Sequence, residues 1–257
     1  PLVAVAIRQG GATTGATGTV DGIRVGTTWA EACQCAAAAV TFSYHDLEDV
    51  IQSGEELYLA GDFNGWSTTA TPMAGDAGLD NFTVTVPGLT IGTTYQYKYV
   101  VKSGGDQWNW VQGANRSLTV TGTATVDDYR HVTVDWALLQ WPPTLDATAL
   151  DPTGTVYGRL HIPDVTEPGG AGRGIKAEVG YGQTATPAEW TWFPMAFNLD
   201  YSPNEELMGV MTPTATGVYS YAVRFDPNWG TGNPHAGWAY GDLDGYVPAG
   251  DPFELSQ

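Results

Sequence analysis

The amino-acid sequence predicts an all-β protein with two β-sandwich domains in tandem and a strand-rich N-terminal arm. Gly (33) and Pro (16) are frequent among the 257 residues, and they divide the chain into short segments. Many of these segments alternate apolar and polar side chains, which is the period of a half-buried strand. Because no segment shows a helical period, both domains are expected to consist of strands and turns.

Turn-rich and proline-containing stretches divide the chain into four parts. Residues 1–39 form an arm with two strand-like runs, LVAVAIRQ and VDGIRVGTTW, and a linker that ends in AAAA. One sandwich is predicted over 40–136 and the other over 149–257. Residues 137–148 are predicted to be the linker between them, since they contain two consecutive prolines.

Both domains contain enough strand-like runs for an Ig-like sandwich. In the first domain these runs are VTFSYH, ELYLAGDF, FTVTVPGL, YQYKYVV, RSLTVTG and HVTVDW. In the second they are TVYGRLHIPDV, IKAEVGYG, WTWFPMAFNLD, ELMGVMTP, GVYSYAVRFD and GWAYGDLDG. Their local spacing, with turn residues between them, is typical of two sandwiches in series.

The charge of the chain limits its partners. It has 28 acidic and 10 basic residues and a formal net charge of −18. Such a surface repels the phosphates of nucleic acids and anionic lipids, so nucleic acid is not an expected partner. No apolar run reaches the roughly 18–20 residues of a membrane span. The composition suits an extracellular or cell-surface protein with a neutral ligand. The start at Pro1 predicts a processed chain or a fragment.

The sequence lacks recognisable motifs for catalysis, metals or cofactors. Cys33 and Cys35 form a C-x-C pair without the second pair that a zinc site would need. The four histidines lie outside any HExxH motif, and no Gly-rich loop opens a helix. We therefore expect no catalytic residue, no metal and no cofactor.

A stretch in the middle of the first domain combines aromatic and polar residues suited to binding sugars. Trp66 lies in GDFNGW and Lys98 in YQYKY, while Trp108, Trp110 and Asn115 lie in QWNWVQGANR. Flat indoles on a rigid sheet can stack on the apolar faces of sugar rings, and Lys and Asn can hydrogen-bond to the surrounding hydroxyls. These five residues form a candidate carbohydrate-binding site.

The sequence around these residues resembles the starch-binding and glycogen-binding β-sandwich modules of glucoamylases, branching and debranching enzymes and the AMP-activated kinase β subunit. The resemblance implies that Trp66 and Trp110 are the two sugar-stacking residues, with Trp108 as the alternative to Trp110. It also implies that Lys98 and Asn115 contact sugar hydroxyls. The ligand implied is an α-glucan or another polysaccharide.

Two positions depart from the pattern of that family. Val111 stands where an acidic residue often follows the second tryptophan, and Ala114 replaces the proline before Asn115. Both departures weaken the expectation that the domain binds sugar. Neither changes the predicted fold. A module of this shape could also act as a spacer, with Trp66 capping the sandwich and Lys98 extending along it.

Two further resemblances concern the rest of the chain. Residues 149–257 resemble small Ig-like modules found in amylopullulanases and other large secreted bacterial proteins, and residues 1–31 resemble the end of a laminin-G-like or jelly-roll domain. In the second domain, Trp190 and Trp192 are expected to share one strand face. We favour the inward, core-forming face for them over a second aromatic platform.

These features predict a non-catalytic extracellular protein with a carbohydrate-binding domain, and two alternatives remain open. The unpaired strands of residues 1–31 could join the sheet of another copy and build a homopolymeric filament or surface assembly. The chain could instead be the accessory region of a secreted amylolytic enzyme or nuclease whose catalytic domain lies elsewhere.

Overall fold

The computed structural model describes residues 36–75, 81–104, 107–243 and 246–247. These residues form β-strands with two short 3-10 turns, at Asp62–Asn64 and Pro187–Glu189, which confirms the predicted all-β fold. The predicted N-terminal arm, with Cys33 and Cys35, lies outside the described residues, as does its proposed role in a filament. Within the described part of the chain, no helix is long and apolar enough to cross a membrane.

The first sandwich consists of two small sheets. Its strands are β1 (Ala37–His45), β2 (Glu56–Gly61), β3 (Phe82–Thr90), β4 (Thr94–Ser103), β5 (Gln107–Trp110), β6 (Arg116–Thr119) and β7 (Ala124–Tyr129). In one sheet β1 lies between β3, which is antiparallel to it, and β7, which is parallel. In the other sheet β4 is antiparallel to β2, β5 and β6.

The alternation of each strand separates the core of the first sandwich from its outer face. On β4, Tyr97, Tyr99 and Val101 point into the core, while Lys98 and the fully buried Val100 lie on the opposite side of the strand. The facing sheet supplies a second set of apolar side chains to the core. These are Val40, Phe42, Tyr44, Phe82, Val86 and Leu89.

The second sandwich is larger and has its own core. Its strands are β8 (Trp136–Trp141), β9 (Val156–His161), β10 (Lys176–Gly182), β11 (Thr191–Pro194), β12 (Ala196–Tyr201), β13 (Asn204–Gly209), β14 (Ser220–Asp226), β15 (Ala239–Gly241) and β16 (Tyr246–Val247). One sheet has the order β12-β13-β9-β8, and the other has the order β11-β10-β14-β15-β16.

Three segments differ from the sequence-based prediction. Residues 137–141, predicted as linker, belong to β8 and pair with β9 of the second sandwich. The AAAA run predicted as linker starts β1, because Ala37 and Ala38 pair with the end of β3. The run HVTVDW contributes only Trp136 to a strand, and the strand next to β1 is instead β7, which the sequence analysis missed.

The run WTWFPMAFNLD was predicted as one strand but forms two. Its first part is β11, which pairs with β10, and its second part is β12, which pairs with β13 in the opposite sheet. Met195 lies between the two strands, where the chain crosses from one sheet to the other. Alternation of side chains alone does not reveal such a crossing, since both halves have a strand period.

Buried polar side chains join the two sandwiches. Glu48 of the first domain accepts hydrogen bonds from the Asn233 side chain at 2.7 Å and the Gly230 N–H at 3.2 Å. The fully buried Arg130 donates to the Arg173 carbonyl at 2.8 Å, and Asn233 donates to the Arg130 carbonyl at 3.0 Å. Buried polar groups of this kind tolerate little movement, so they fix how the domains sit against each other.

The loop 164–173 of the second domain is held by one buried and one exposed carboxylate. The Glu205 carboxylate accepts a hydrogen bond from the Gly172 N–H at 2.6 Å, and Asp200 accepts one from the Gly170 N–H at 2.9 Å. Burial raises the pKa of Glu205 to about 7, and the neighbouring Asp200 adds to the rise. The carboxyl group of Glu205 therefore stays protonated to a higher pH in the folded chain than in the unfolded chain.

We expect this raised pKa to make folding stability fall as the pH rises. Glu205 ionises near its ordinary pKa of 4.5 in the unfolded chain and near 7 in the folded chain. Between these values the folded state binds more protons, so the free energy of unfolding decreases with increasing pH. Glu205→Gln removes this contribution. Urea unfolding across this pH range should show the variant gaining stability relative to the parent, by about 1 kcal/mol or more at the upper end. Parallel curves for the two proteins would contradict the assignment.

Candidate carbohydrate-binding face

The turn that carries Trp66 is built by hydrogen bonds from one asparagine. The Asn64 side-chain oxygen accepts from the Gly61 N–H at 3.0 Å, and its amide donates to the Leu59 carbonyl and the Thr71 hydroxyl, both at 2.9 Å. The Trp66 N–H donates to the Gly61 carbonyl at 2.9 Å and closes the turn. The GDFNGW segment is therefore a hydrogen-bonded turn with a fixed conformation.

Trp66 itself has a conformation that is uncommon for a residue with a side chain. Its φ of 60° lies in the left-handed region, next to Gly65 at 63°. Its indole Nε1–H donates to one oxygen of Asp62 at 2.9 Å, and the Gln96 N–H donates to the other at 2.7 Å. The Asp62 carboxylate therefore links the Trp66 indole to the backbone of β4 at Gln96. Retaining a large aromatic residue at a strained position is typical of functional sites.

Trp66 lies next to Trp110. Their ring centroids are 6.2 Å apart and their planes are inclined at 64°. Trp110 is at the end of β5 opposite Val100, on the outer face of the sheet, and 43% of it is exposed. Trp66 is half-buried. The structure therefore brings the two predicted stacking residues together on one accessible face.

The other predicted residues lie near this pair to different degrees. Lys98 is half-buried on the outer face of β4, two residues from Val100. Asn115 is exposed and directly precedes β6, whose first residue, Arg116, pairs with Tyr97. Continuing this register places Asn115 beside Lys98. The backbone of Trp108 pairs with Lys102, further along β5 from Trp110.

Sequence reasoning missed two residues of this face. One is Asp62, the hydrogen-bond acceptor for the Trp66 indole. The other is Tyr58, which lies on the same outer face, because β2 pairs it with Val100 and β5 pairs Val100 with Trp110. Tyr58 lies between the core residues Leu57 and Leu59 on the strand. The alternation of side chains could therefore have indicated that it faces outward.

The face rests on a buried carboxylate that joins the two sheets. Asp128 on β7 accepts hydrogen bonds from the hydroxyls of Tyr97 at 2.9 Å and Tyr99 at 2.6 Å, both on β4. It also accepts one from Arg116 on β6 at 2.9 Å, and Arg116 donates to the Tyr129 carbonyl at 2.6 Å. Burial, followed by the charge of Asp128, raises the pKa of both tyrosines well above the usual range.

The tryptophans of the second domain occupy a different kind of surface. Trp192 pairs with Gly180 on the outer face of its sheet, while the inward positions are taken by Tyr181 and Phe193. The core interpretation is confirmed for Trp190, which is buried in a small separate apolar cluster with Ala222. It is wrong for Trp192, which is only partly buried, on the outer face of the sheet. The cause is the pair of glycines on β10, Gly180 and Gly182, which leave room for both indoles on the outer face.

These outer indoles already contact one another and a cation. Trp190 and Trp192 are stacked with centroids 5.7 Å apart, and the guanidinium of Arg224 lies 4.0 Å from the ring centres of both Trp192 and Trp238. Arg224 also forms an ion pair with Glu178. Such cation–π contacts stabilise the sheet surface and occupy the ring faces that a sugar would use.

Comparison with known proteins assigns the first sandwich. Residues 37–129 match the family of the starch binding domain. The first sandwich is therefore similar to a starch binding domain. This match agrees with the resemblance found for residues 40–136 in the sequence. The resemblances of residues 149–257 and 1–31 stay predictions.

Three solved structures are similar to part of the chain. They are the family 15 glucoamylase of Hypocrea jecorina (22% identity, 38% of this chain and 18% of that chain, TM-score 0.32), the gamma-CGTase of alkalophilic Bacillus clarkii (21%, 37% and 15%, 0.32) and the glucoamylase of Hormoconis resinae (25%, 37% and 17%, 0.30). The similar part is less than a fifth of each of those chains.

The left-handed conformation of Trp66 gives a prediction for stability. At a φ of 60°, glycine is free of the steric cost that any side chain has. We expect Trp66→Gly to be more stable than Trp66→Ala by about 1 kcal/mol. Urea unfolding of both variants measures the difference. An alanine variant as stable as the glycine variant would show that the backbone at this position is not strained.

The Asp128 carboxylate gives a second prediction. Asp128→Ala leaves two tyrosine hydroxyls and the Arg116 guanidinium without their acceptor, so it should destabilise the protein by about 3–5 kcal/mol. The matched control is Asp127→Ala, because the neighbouring Asp127 is exposed and only reaches His45 at 3.2 Å. Its loss should cost less than about 1 kcal/mol. Similar losses for the two variants, by thermal or urea unfolding, would contradict the assigned role of Asp128.

Proposed function

We propose that the first domain binds α-glucan through the face formed by Trp66 and Trp110, and that the chain is a non-catalytic binding protein. The observation that supports this most directly is the pair of accessible indoles 6.2 Å apart on a face whose fold matches the starch binding domain family. Their inclination of 64° suits a curved ligand, and α-linked glucan chains are curved. Each ring can stack on a different glucose unit.

The polar groups at the rim complete this site. Lys98 and Asn115 are both hydrogen-bond donors. They would lie beside each other if the register of β4 and β6 continues one residue beyond the pair Tyr97–Arg116. Because Asp62 fixes the Trp66 indole by accepting its Nε1–H, that ring is oriented before the ligand arrives. A preorganised ring loses less conformational entropy when it binds.

The charge of the chain supports a neutral ligand and an extracellular location. With a net charge of −18, the surface disfavours phosphorylated or sulfated polymers and leaves a neutral glucan as the compatible polysaccharide. Stacking and a few hydrogen bonds are worth only a few kcal/mol, so we expect a Kd of about 10⁻⁵–10⁻³ M. An affinity in this range fits a domain that keeps a protein on a polymer with many sites.

Substitution of the two indoles tests this function. Trp66→Ala and Trp110→Ala should each weaken binding of soluble maltoheptaose at least tenfold, a loss of about 1.4 kcal/mol, and should abolish retention on amylose. Calorimetry measures the first effect and affinity electrophoresis in amylose gels the second.

The matched control is Trp141→Ala. Trp141 is 57% exposed but lies on β8 of the second domain, away from the proposed face. It should bind as the parent does. The proposal fails if the parent binds no α-glucan, or if all three variants bind equally well.

A further inference from the structure

A cleft between the two domains begins beside Trp110. It has a volume of about 400 Å³, which lies within the range of small-molecule binding sites. One wall is formed by the ends of β4 and β5 in the first domain, and the other by residues 164–173 of the second. The polar and aromatic side chains that line it are Ser103, Asn109, Trp110, Gln112, Asp164 and Arg173.

The wall supplied by the second domain is held in place from both sides. Arg173 donates to the Glu55 carboxylate at 2.7 Å and to the Val50 carbonyl at 3.2 Å, so it connects the loop to the first domain. Behind the loop, Glu205 accepts from the Gly172 N–H at 2.6 Å. The cleft therefore exists before any ligand enters it.

We propose that this cleft is a second part of the glucan site, in which the second domain holds the units of a longer α-glucan chain that continue beyond Trp110. This inference rests on the proposed function of the Trp66–Trp110 face. It assigns a binding role to the second domain and a preference for longer chains to the whole protein.

The chemistry of the cleft fits a neutral sugar. Trp110 belongs both to the paired indoles and to the lining of the cleft, so a chain stacked on its ring is at the entrance. The Gln112 Oε1 atom is buried and has no hydrogen-bond partner among the described residues. A buried acceptor without a donor is costly. A small rotation of the half-buried Gln112 side chain toward the cleft would let a sugar hydroxyl donate to it.

The exposed Asn109 amide donates to the Ser103 hydroxyl at 3.4 Å through one of its two N–H bonds, and Arg173 uses Nη1 for Glu55 and Val50. The second N–H of Asn109 and the other N–H groups of Arg173 are donors for a sugar.

The experiment compares a short and a long ligand. The parent should bind maltoheptaose about tenfold more tightly than maltotriose, because three units are held by the indoles alone and seven reach the cleft. Gln112→Ala should reduce the maltoheptaose affinity several-fold and leave the maltotriose affinity unchanged. The matched control is Gln140→Ala, since Gln140 Oε1 is also buried without a partner but lies on β8, outside the cleft.

A second variant tests whether the open volume of the cleft is needed for binding the longer ligand. Ala171 lies in the exposed loop wall, so Ala171→Trp should narrow the cleft while the protein still folds. It should bring the maltoheptaose affinity down to that of maltotriose. Thermal unfolding of each variant confirms that the comparison is made on folded protein.

The outcomes separate the two proposals. If Trp110→Ala weakens both ligands while Gln112→Ala and Ala171→Trp bind maltoheptaose as the parent does, the cleft is not a subsite and the proposed function stands. If the parent binds maltotriose and maltoheptaose with equal affinity, the cleft is likewise not a subsite and the proposed function stands. If the parent binds neither ligand, the proposed function fails, and the inference about the cleft fails with it.

Discussion

The structure of the first domain depends on one buried carboxylate. Asp128 on β7 accepts hydrogen bonds from Tyr97 and Tyr99 on β4 and from Arg116 on β6, so a single side chain connects both sheets of the sandwich. A buried charge is stable only where such donors surround it, and the donors in turn are costly to leave unpaired. The relative position of the two sheets is therefore determined by this cluster as much as by the apolar core.

The same cluster positions the outer face. Lys98 lies between Tyr97 and Tyr99 on β4, and Asn115 directly precedes Arg116. Because the inward side chains are anchored, the outward neighbours are held at defined places on the opposite side of the strand. The Asn64 turn then adds Trp66 to this face, and the short β5 adds Trp110. The site is thus assembled from a rigid sheet and one hydrogen-bonded turn.

Alternation, a local signal, was sufficient for the fold class, whereas the pairing of Trp66 with Trp110 came from the resemblance to starch-binding modules, which left Trp108 open as an alternative. It was insufficient for Asp128, which is one of 28 acidic residues and has no sequence feature that marks it as buried. It also failed at β12, where the chain changes sheets after Pro194 without losing its alternation. Trp192 was misplaced, and the separate cluster around the buried Trp190 was not foreseen, because two glycines on the neighbouring β10 create the space that both indoles fill, and that neighbour is known only from the fold.

The most direct measurement follows the indole N–H signals of the ten tryptophans by NMR while maltoheptaose is added. The account predicts that the signals of Trp66 and Trp110 shift in a saturable manner with the same Kd. The signals of Trp190, Trp192 and Trp238 should stay unchanged, since Trp190 stacks on Trp192 and Arg224 lies against the rings of Trp192 and Trp238. Saturable shifts confined to those three tryptophans, or no shift at Trp66 and Trp110, would contradict the account.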